Sequence, residues 1–268
     1  MSPTIFSSVI NSYLPEPHAA LLNGIIFGIP LKSSKIFYQQ LQIVGLLHLV
    51  VLSGMNITIL AHIIDLLVGA FAKKIRLLIT IGCIIGFTLF VGPQPPIVRA
   101  AIMGSLTYVA VLYGRKSTAF VSLLISVLVI AIVKPYWIKT ISFQLSTGAT
   151  LGIILFGQRK QKKTDTKLGG IISSIKSDLQ TTLAASSFTV PIIFIYFKQI
   201  SFISPLANIM VSFLIAPLMI FGFITSVLGK ICWIFGLPTA YICYGLLSYM
   251  IFIIDVLSKI PFAFLEIK

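Results

Sequence analysis

Negative charge is what this sequence has least of. Six acidic residues stand against twenty Lys and Arg in 268, a formal net charge of +14. The six, Glu16, Asp65, Asp165, Asp178, Asp255 and Glu266, include no pair of aspartates inside an apolar segment, which excludes an intramembrane aspartyl dyad. Histidines number three, His18, His48 and His62, with no His-Glu-x-x-His pair, so zinc-hydrolase chemistry lacks its ligands. There is no Gly-x-Ser-x-Gly elbow and no glycine-rich phosphate loop, so neither a hydrolase nucleophile nor a nucleotide motor is expected. Three cysteines, Cys83, Cys232 and Cys243, sit in apolar surroundings without Cys-x-x-Cys spacing and read as packing residues. The first residues, MSPTIFSSVINSYLPEP, show no basic stretch ahead of an apolar one, and no signal peptide is expected. No catalytic residue, metal or cofactor is expected.

Apolar residues abound. They are 57% of the chain, charged residues are 10%, and mean hydropathy is +1.06. Soluble domains carry about 25% charged residues, so the fold class is an all-α polytopic integral membrane protein. About seven or eight transmembrane helices are expected, plus a short N-terminal interfacial or re-entrant helix, with some helices broken or kinked. Residues 1–42 form the N-terminal segment, in which the run 13–31 is too short to span and 32–42 suits an amphipathic helix on the membrane. Residues 43–268 form the transmembrane domain, with spans at about 43–71, 77–91, 97–113, 118–133, 140–156, 181–198, 202–229 and 238–259. The hydrophilic stretch 157–170 reads as a basic, solvated, disordered loop and 171–180 as amphipathic. Eight spans put twelve of the twenty Lys and Arg on one side, which is taken as cytoplasmic, with both termini outside. The excess charge also suits a polyanion or anionic lipids.

One stretch organises the rest: GLLHLVVLSGMNITILAHIID, Gly45 to Asp65. It is long and apolar enough to cross a bilayer, yet holds His48, Ser53, Gly54, Asn56, Thr58 and His62. Polar groups in hydrocarbon require partners, and a helix broken at membrane depth is tolerated only against protein or a wet cavity. The Ser53-Gly54 pair is a place for the helix to bend or unwind. On a straight helix His48, Met55 and His62 share a face, whereas His48 and Ser53 point about 140° apart, which argues against a serine–histidine dyad. The stretch lines a cavity or, alternatively, forms a packing seam that lets helices approach closely.

Arg99 lies near the start of the third expected span. It contacts a phosphate or substrate in a pore, or it snorkels from the helix end to the interface. Gln144, with Ser142, Ser146 and Thr147, makes a polar helix face for a path or for interhelical bonding, and Asn208 is similar. Pro191 and Pro217 are expected to kink spans six and seven.

Five blocks together resemble a known family: PEPHAALLNGIIFG, GLLHLVVLSGMNI, GPQPPIVRAAIM, SFQLSTGATLGI and SPLANIMVSFLIAPL. Their order and spacing over about residues 15–220 are similar to the competence domain of ComEC-type DNA-uptake proteins. The resemblance implies an inner-membrane channel that passes single-stranded DNA into the cytoplasm during natural transformation. It carries His48, Ser53, Gly54, Arg99, Phe143, Gln144, Ser146, Pro205 and Asn208 as motif residues. Members often have His where this chain has Asn56, and Asp where it has Lys134. The resemblance covers the competence domain, and the OB-like and metallo-β-lactamase-like domains of larger members are not expected within these residues. A separate nuclease, a DNA receptor and a cytoplasmic ATP-driven helicase are therefore expected as partners, alongside membrane lipids, and a homo-oligomer is left open. The alternatives are a small-solute or lipid transporter and a non-conducting membrane scaffold for a DNA-uptake machine.

Overall fold

The computed structural model of the protein describes residues 3–31, 33–50, 53–115, 118–157, 167–260 and 264–266. Its elements begin and end where the sequence carries breakers and caps. α1 (Thr4–Tyr13) follows Pro3, and α2 (His18–Phe27) follows Pro17. α3 (Lys35–Val44) starts at Ser34, whose hydroxyl accepts the Phe37 amide at 3.3 Å, and stops at Gly45. Gly45 has φ 74°, a left-handed geometry that side chains resist and glycine takes freely. There follow α4 (Leu47–Val50), α5 (Gly54–Leu67), α6 (Lys73–Val91), α7 (Pro95–Leu112) and α8 (Ala119–Val133). A 3₁₀ turn (Pro135–Lys139) then leads to α9 (Ile141–Phe156) and α10 (Lys167–Phe197). The chain closes with β1 (Gln199–Ser201), α11 (Ser204–Ile231), α12 (Trp233–Ser258) and β2 (Phe264–Glu266).

Five helices, α6, α7, α10, α11 and α12, are long and apolar enough to cross a membrane, and the protein is a multi-pass membrane protein. α5, α8 and α9 have 14, 15 and 16 residues, so they reach about 21–24 Å against a hydrocarbon core of ~30 Å. Several expectations need correction. The span expected at 43–71 is broken twice: the helix restarts at Gly54, at the expected Ser53-Gly54 break, whereas the Gly45 turn that ends α3 was not expected. The shared face of His48, Met55 and His62 on a straight helix goes with it. The run 13–31, expected to be interfacial or re-entrant, holds α2, every residue of which except His18 is buried in protein, so it does not lie on the membrane surface. A helix apolar all round belongs inside, which length alone does not reveal. The amphipathic stretch 171–180 and span six are one helix, α10. Most of the loop expected at 157–170 lies outside the described residues, and its last four residues are helical. Pro191 and Pro217 both sit inside helices, α10 and α11. The all-helical expectation gains one exception, a short antiparallel pairing of β1 with β2, Ile200 opposite Leu265.

Packing divides into a larger and two smaller apolar clusters. α1 to α4 join α11 and α12 around α2, with Leu21, Leu22, Ile25, Leu218, Leu247 and Ile254 fully enclosed. Ile57, Ile84 and Ile97 hold α5, α6 and α7 together, and Ile130, Trp137 and Phe143 join α8, the 3₁₀ turn and α9. Close approach depends on particular glycines. A Cβ on Gly24 would stand 2.5 Å from the Val50 carbonyl oxygen, so α2 meets α4 backbone to side-chain-free backbone. A Cβ on Gly152 would fall within contact distance of the Ala184 carbonyl oxygen, where α9 meets α10. Gly152→Ala must therefore push two helices apart, a cost of about 1–3 kcal/mol. Gly82→Ala, with nothing within 4 Å of the new methyl, is expected to be neutral or slightly stabilising. Thermal unfolding of the two variants in detergent checks the contrast.

Candidate functional site

The five sequence blocks converge on the twice-broken segment 45–54. Gly45 packs on the start of α11: its missing Cβ would lie 2.7 Å from both side-chain atoms of Ser204. His48, on α4, donates from Nδ1 to the Gly45 carbonyl at 3.0 Å. A carbonyl only accepts, so Nδ1 carries the hydrogen and Nε2 of the neutral ring is left as an acceptor. The His48 side chain is exposed, and that of Asn208 on α11 faces it. Asn208 in turn donates to the Thr182 hydroxyl at 2.8 Å, tying α11 to α10.

A second polar group starts five residues after His48. Ser53 occupies the N-cap position of α5, but its hydroxyl accepts no helix amide and instead donates to Asn56 Oδ1 at 3.3 Å. Asn56 is 2% exposed and donates from Nδ2 to the Ile25 carbonyl at 2.8 Å. That carbonyl lies in the last turn of α2, where helix oxygens lack intrahelical donors. Asn56 thus joins the start of α5 to the end of α2.

Arg99 comes from the second turn of α7, which the Pro95-Pro96 pair starts. Its side chain does not snorkel, since Arg99 is 5% exposed. Nε and Nη2 donate to the Ser146 hydroxyl at 3.2 and 2.8 Å, and Nη1 approaches the Met103 sulfur at 3.1 Å. Nη2 also lies 3.5 Å from the place a Gly54 Cβ would take, beside the N-terminus of α5. Among the described residues no carboxylate lies within salt-bridge distance of it; Asp65 pairs with Arg76 and Asp255 with Lys259. A buried guanidinium beside the positive end of a 14-residue helix, with no acid, is an arrangement that an anion would stabilise.

Of the expected site residues, the fold gathers Gly54, Arg99 and Ser146 into one group, Ser53 and Asn56 into its neighbour, and His48 with Asn208 into a third. Gln144 stands apart, donating to the Ile138 carbonyl at 3.4 Å at the head of α9. Phe143 is core, packed with Ile130 and Trp137. Met103 and Thr182 were not read from the sequence. The four-residue spacing from Arg99 was available for Met103, whereas nothing local marks Thr182.

The family described as competence protein matches residues 25–268. The chain belongs to that family. The match encloses all three groups of this competence-family site and begins inside α2. Over 210 residues the chain is 25% identical to ComE operon protein 3 of Bacillus subtilis (strain 168), covering 77% of this chain and 26% of that protein. The chain therefore spans about a quarter of its relative's length. No solved structure matches.

Asn56→Leu removes the donor that satisfies the Ile25 carbonyl inside protein, at an expected cost of about 1–3 kcal/mol. The readout is the unfolding midpoint in detergent, with Thr58→Ala as a milder control, because Thr58 only bonds back to the Gly54 carbonyl of its own helix.

Proposed function

We propose that this chain takes part in DNA uptake during natural transformation as the membrane channel that admits one DNA strand to the cytoplasm. The supporting observation is the buried guanidinium of Arg99, which has no acid beside it among the described residues and lies next to Gly54 at the α5 N-terminus. In this reading a backbone phosphate enters between Arg99 and the first amides of α5 and takes the place of the Ser146 hydroxyl. A charge-assisted contact to phosphate is sequence-blind, as transport of arbitrary DNA requires. His48 on the same broken segment, and Asn208 facing it from α11, supply neutral hydrogen-bonding groups. Because Arg99 is 5% exposed, a strand reaches it only when α5, α7 and α9 separate. Such separation parts the thinner clusters and leaves the core around α2 in place.

This reading gives the chain no bond-breaking step. Strand degradation, capture outside the cell and the driving force come from a nuclease, a receptor and an ATP-driven helicase on other chains. The location is the bacterial cytoplasmic membrane with both termini outside.

The test is uptake of labelled DNA into the cytoplasm, scored apart from the surface-bound pool. Deleting the gene leaves DNA bound outside and none inside. Arg99→Gln lowers internalisation by about tenfold or more, the equivalent of one lost charge-assisted contact, and Arg99→Lys restores part of it. Ser146→Asp offers Arg99 a permanent carboxylate, so it blocks uptake while the protein remains folded. Wild-type uptake in both Arg99→Gln and Ser146→Asp removes Arg99 from the path.

A further inference from the structure

A crevice of about 160 Å³ opens between α7, α8 and the 3₁₀ turn. Val98 and Ile102 of α7 and Val129, Ile130 and Val133 of α8 line it, together with Pro93, Lys134 and Trp137. The walls are apolar, and α8 presents Ile132 and Val133 outward beside the opening, 81% and 69% exposed. The Lys134 ammonium is held 4.5 Å over the Trp137 ring. Among the described residues it has no carboxylate within salt-bridge distance, as the two ion pairs there use other cations.

We propose that this crevice is a phospholipid site: one acyl chain fills the slot and an anionic headgroup phosphate sits on the Lys134 ammonium. Three observations select that occupant. The crevice lies on a multi-pass membrane protein and opens beside residues that face outward, where acyl chains are the surrounding solvent. Dry apolar walls at that depth offer water no partners. The sequence Lys134-Pro135-Tyr136-Trp137 places a cation and two aromatic rings together, with Tyr136 62% exposed, the composition of the headgroup boundary. The cation–π contact holds the ammonium against Trp137, itself part of the lining, and a phosphate there supplies the negative charge it lacks.

Native mass spectrometry of the delipidated protein, titrated with phosphatidylglycerol or phosphatidylcholine, tests this. The wild type binds its first phosphatidylglycerol about fivefold more tightly than phosphatidylcholine. Lys134→Gln brings the two lipids to equal affinity, Lys134→Arg keeps the preference, and Val129→Trp, which fills the slot, weakens both. The two Lys134 variants leave the apolar lining unchanged, so they decide the matter even if Val129→Trp fails to fold. Absence of a headgroup preference in the wild type, or its survival in Lys134→Gln, overturns the proposal. So does displacement of bound phosphatidylglycerol by a short single-stranded oligonucleotide, which assigns Lys134 to nucleic acid.

Discussion

A chain that breaks a helix at membrane depth must satisfy the freed backbone groups from within the protein, and much of this structure follows from that constraint. The segment from Gly45 to Gly54 stops one helix and starts another among apolar neighbours. Its requirements are met by groups that arrive from distant parts of the chain. Asn56 supplies the Ile25 carbonyl, and His48 supplies the Gly45 carbonyl. Gly24 and Gly45 let α2 and α11 come close enough to enclose the break. Where such a group is buried, as at Asn56, the bond is the alternative to an unpaired group costing several kcal/mol, on the order of the values for apolar transfer.

The same constraint explains why the polar groups sit together. A break that is walled by protein is a place where charge can be carried without meeting lipid. Arg99 uses it: the guanidinium reaches Gly54, where any larger residue would press on Ala100, 3.2 Å from the added carbon. Ser146 and Met103 hold it by neutral contacts, which are easier to exchange for an anion than a carboxylate would be. The energetic design is thus a stable core around α2 and a lightly held cation at its flank. Asn56, bonded to α2, and Asn208, bonded to α10, link the core to the flanking helices by single hydrogen bonds.

Much of this was legible in residue order. Ser34 and Gly45 are start and stop signals at the correct spacing for α3, and the Pro95-Pro96 pair announces α7. Arg99, Ser146, His48 and Asn208 stood out because polar residues in apolar runs are costly. What misled was treating an apolar run as a span by length. The 43–71 run contains a glycine turn that hydropathy does not register, and α2 is as apolar as a lipid-facing helix although it faces only protein. Gln144 shows the limit of a polar helix face: it lies two residues from Ser146, a rotation of about 200°, so it looks elsewhere.

By itself the sequence determined that the chain crosses a membrane, where most helices start and stop, and which few polar residues lie inside apolar runs. Those properties are local: they depend on transfer free energy, on caps and on backbone freedom at single positions. Only the tertiary structure decided that Arg99 faces Gly54 and Ser146 rather than the interface, that Asn208 faces His48, and that Arg99 has no acid beside it among the described residues. Those facts depend on which helices meet and at what rotation. Packing of side chains far apart in the sequence sets both, and no local pattern encodes them.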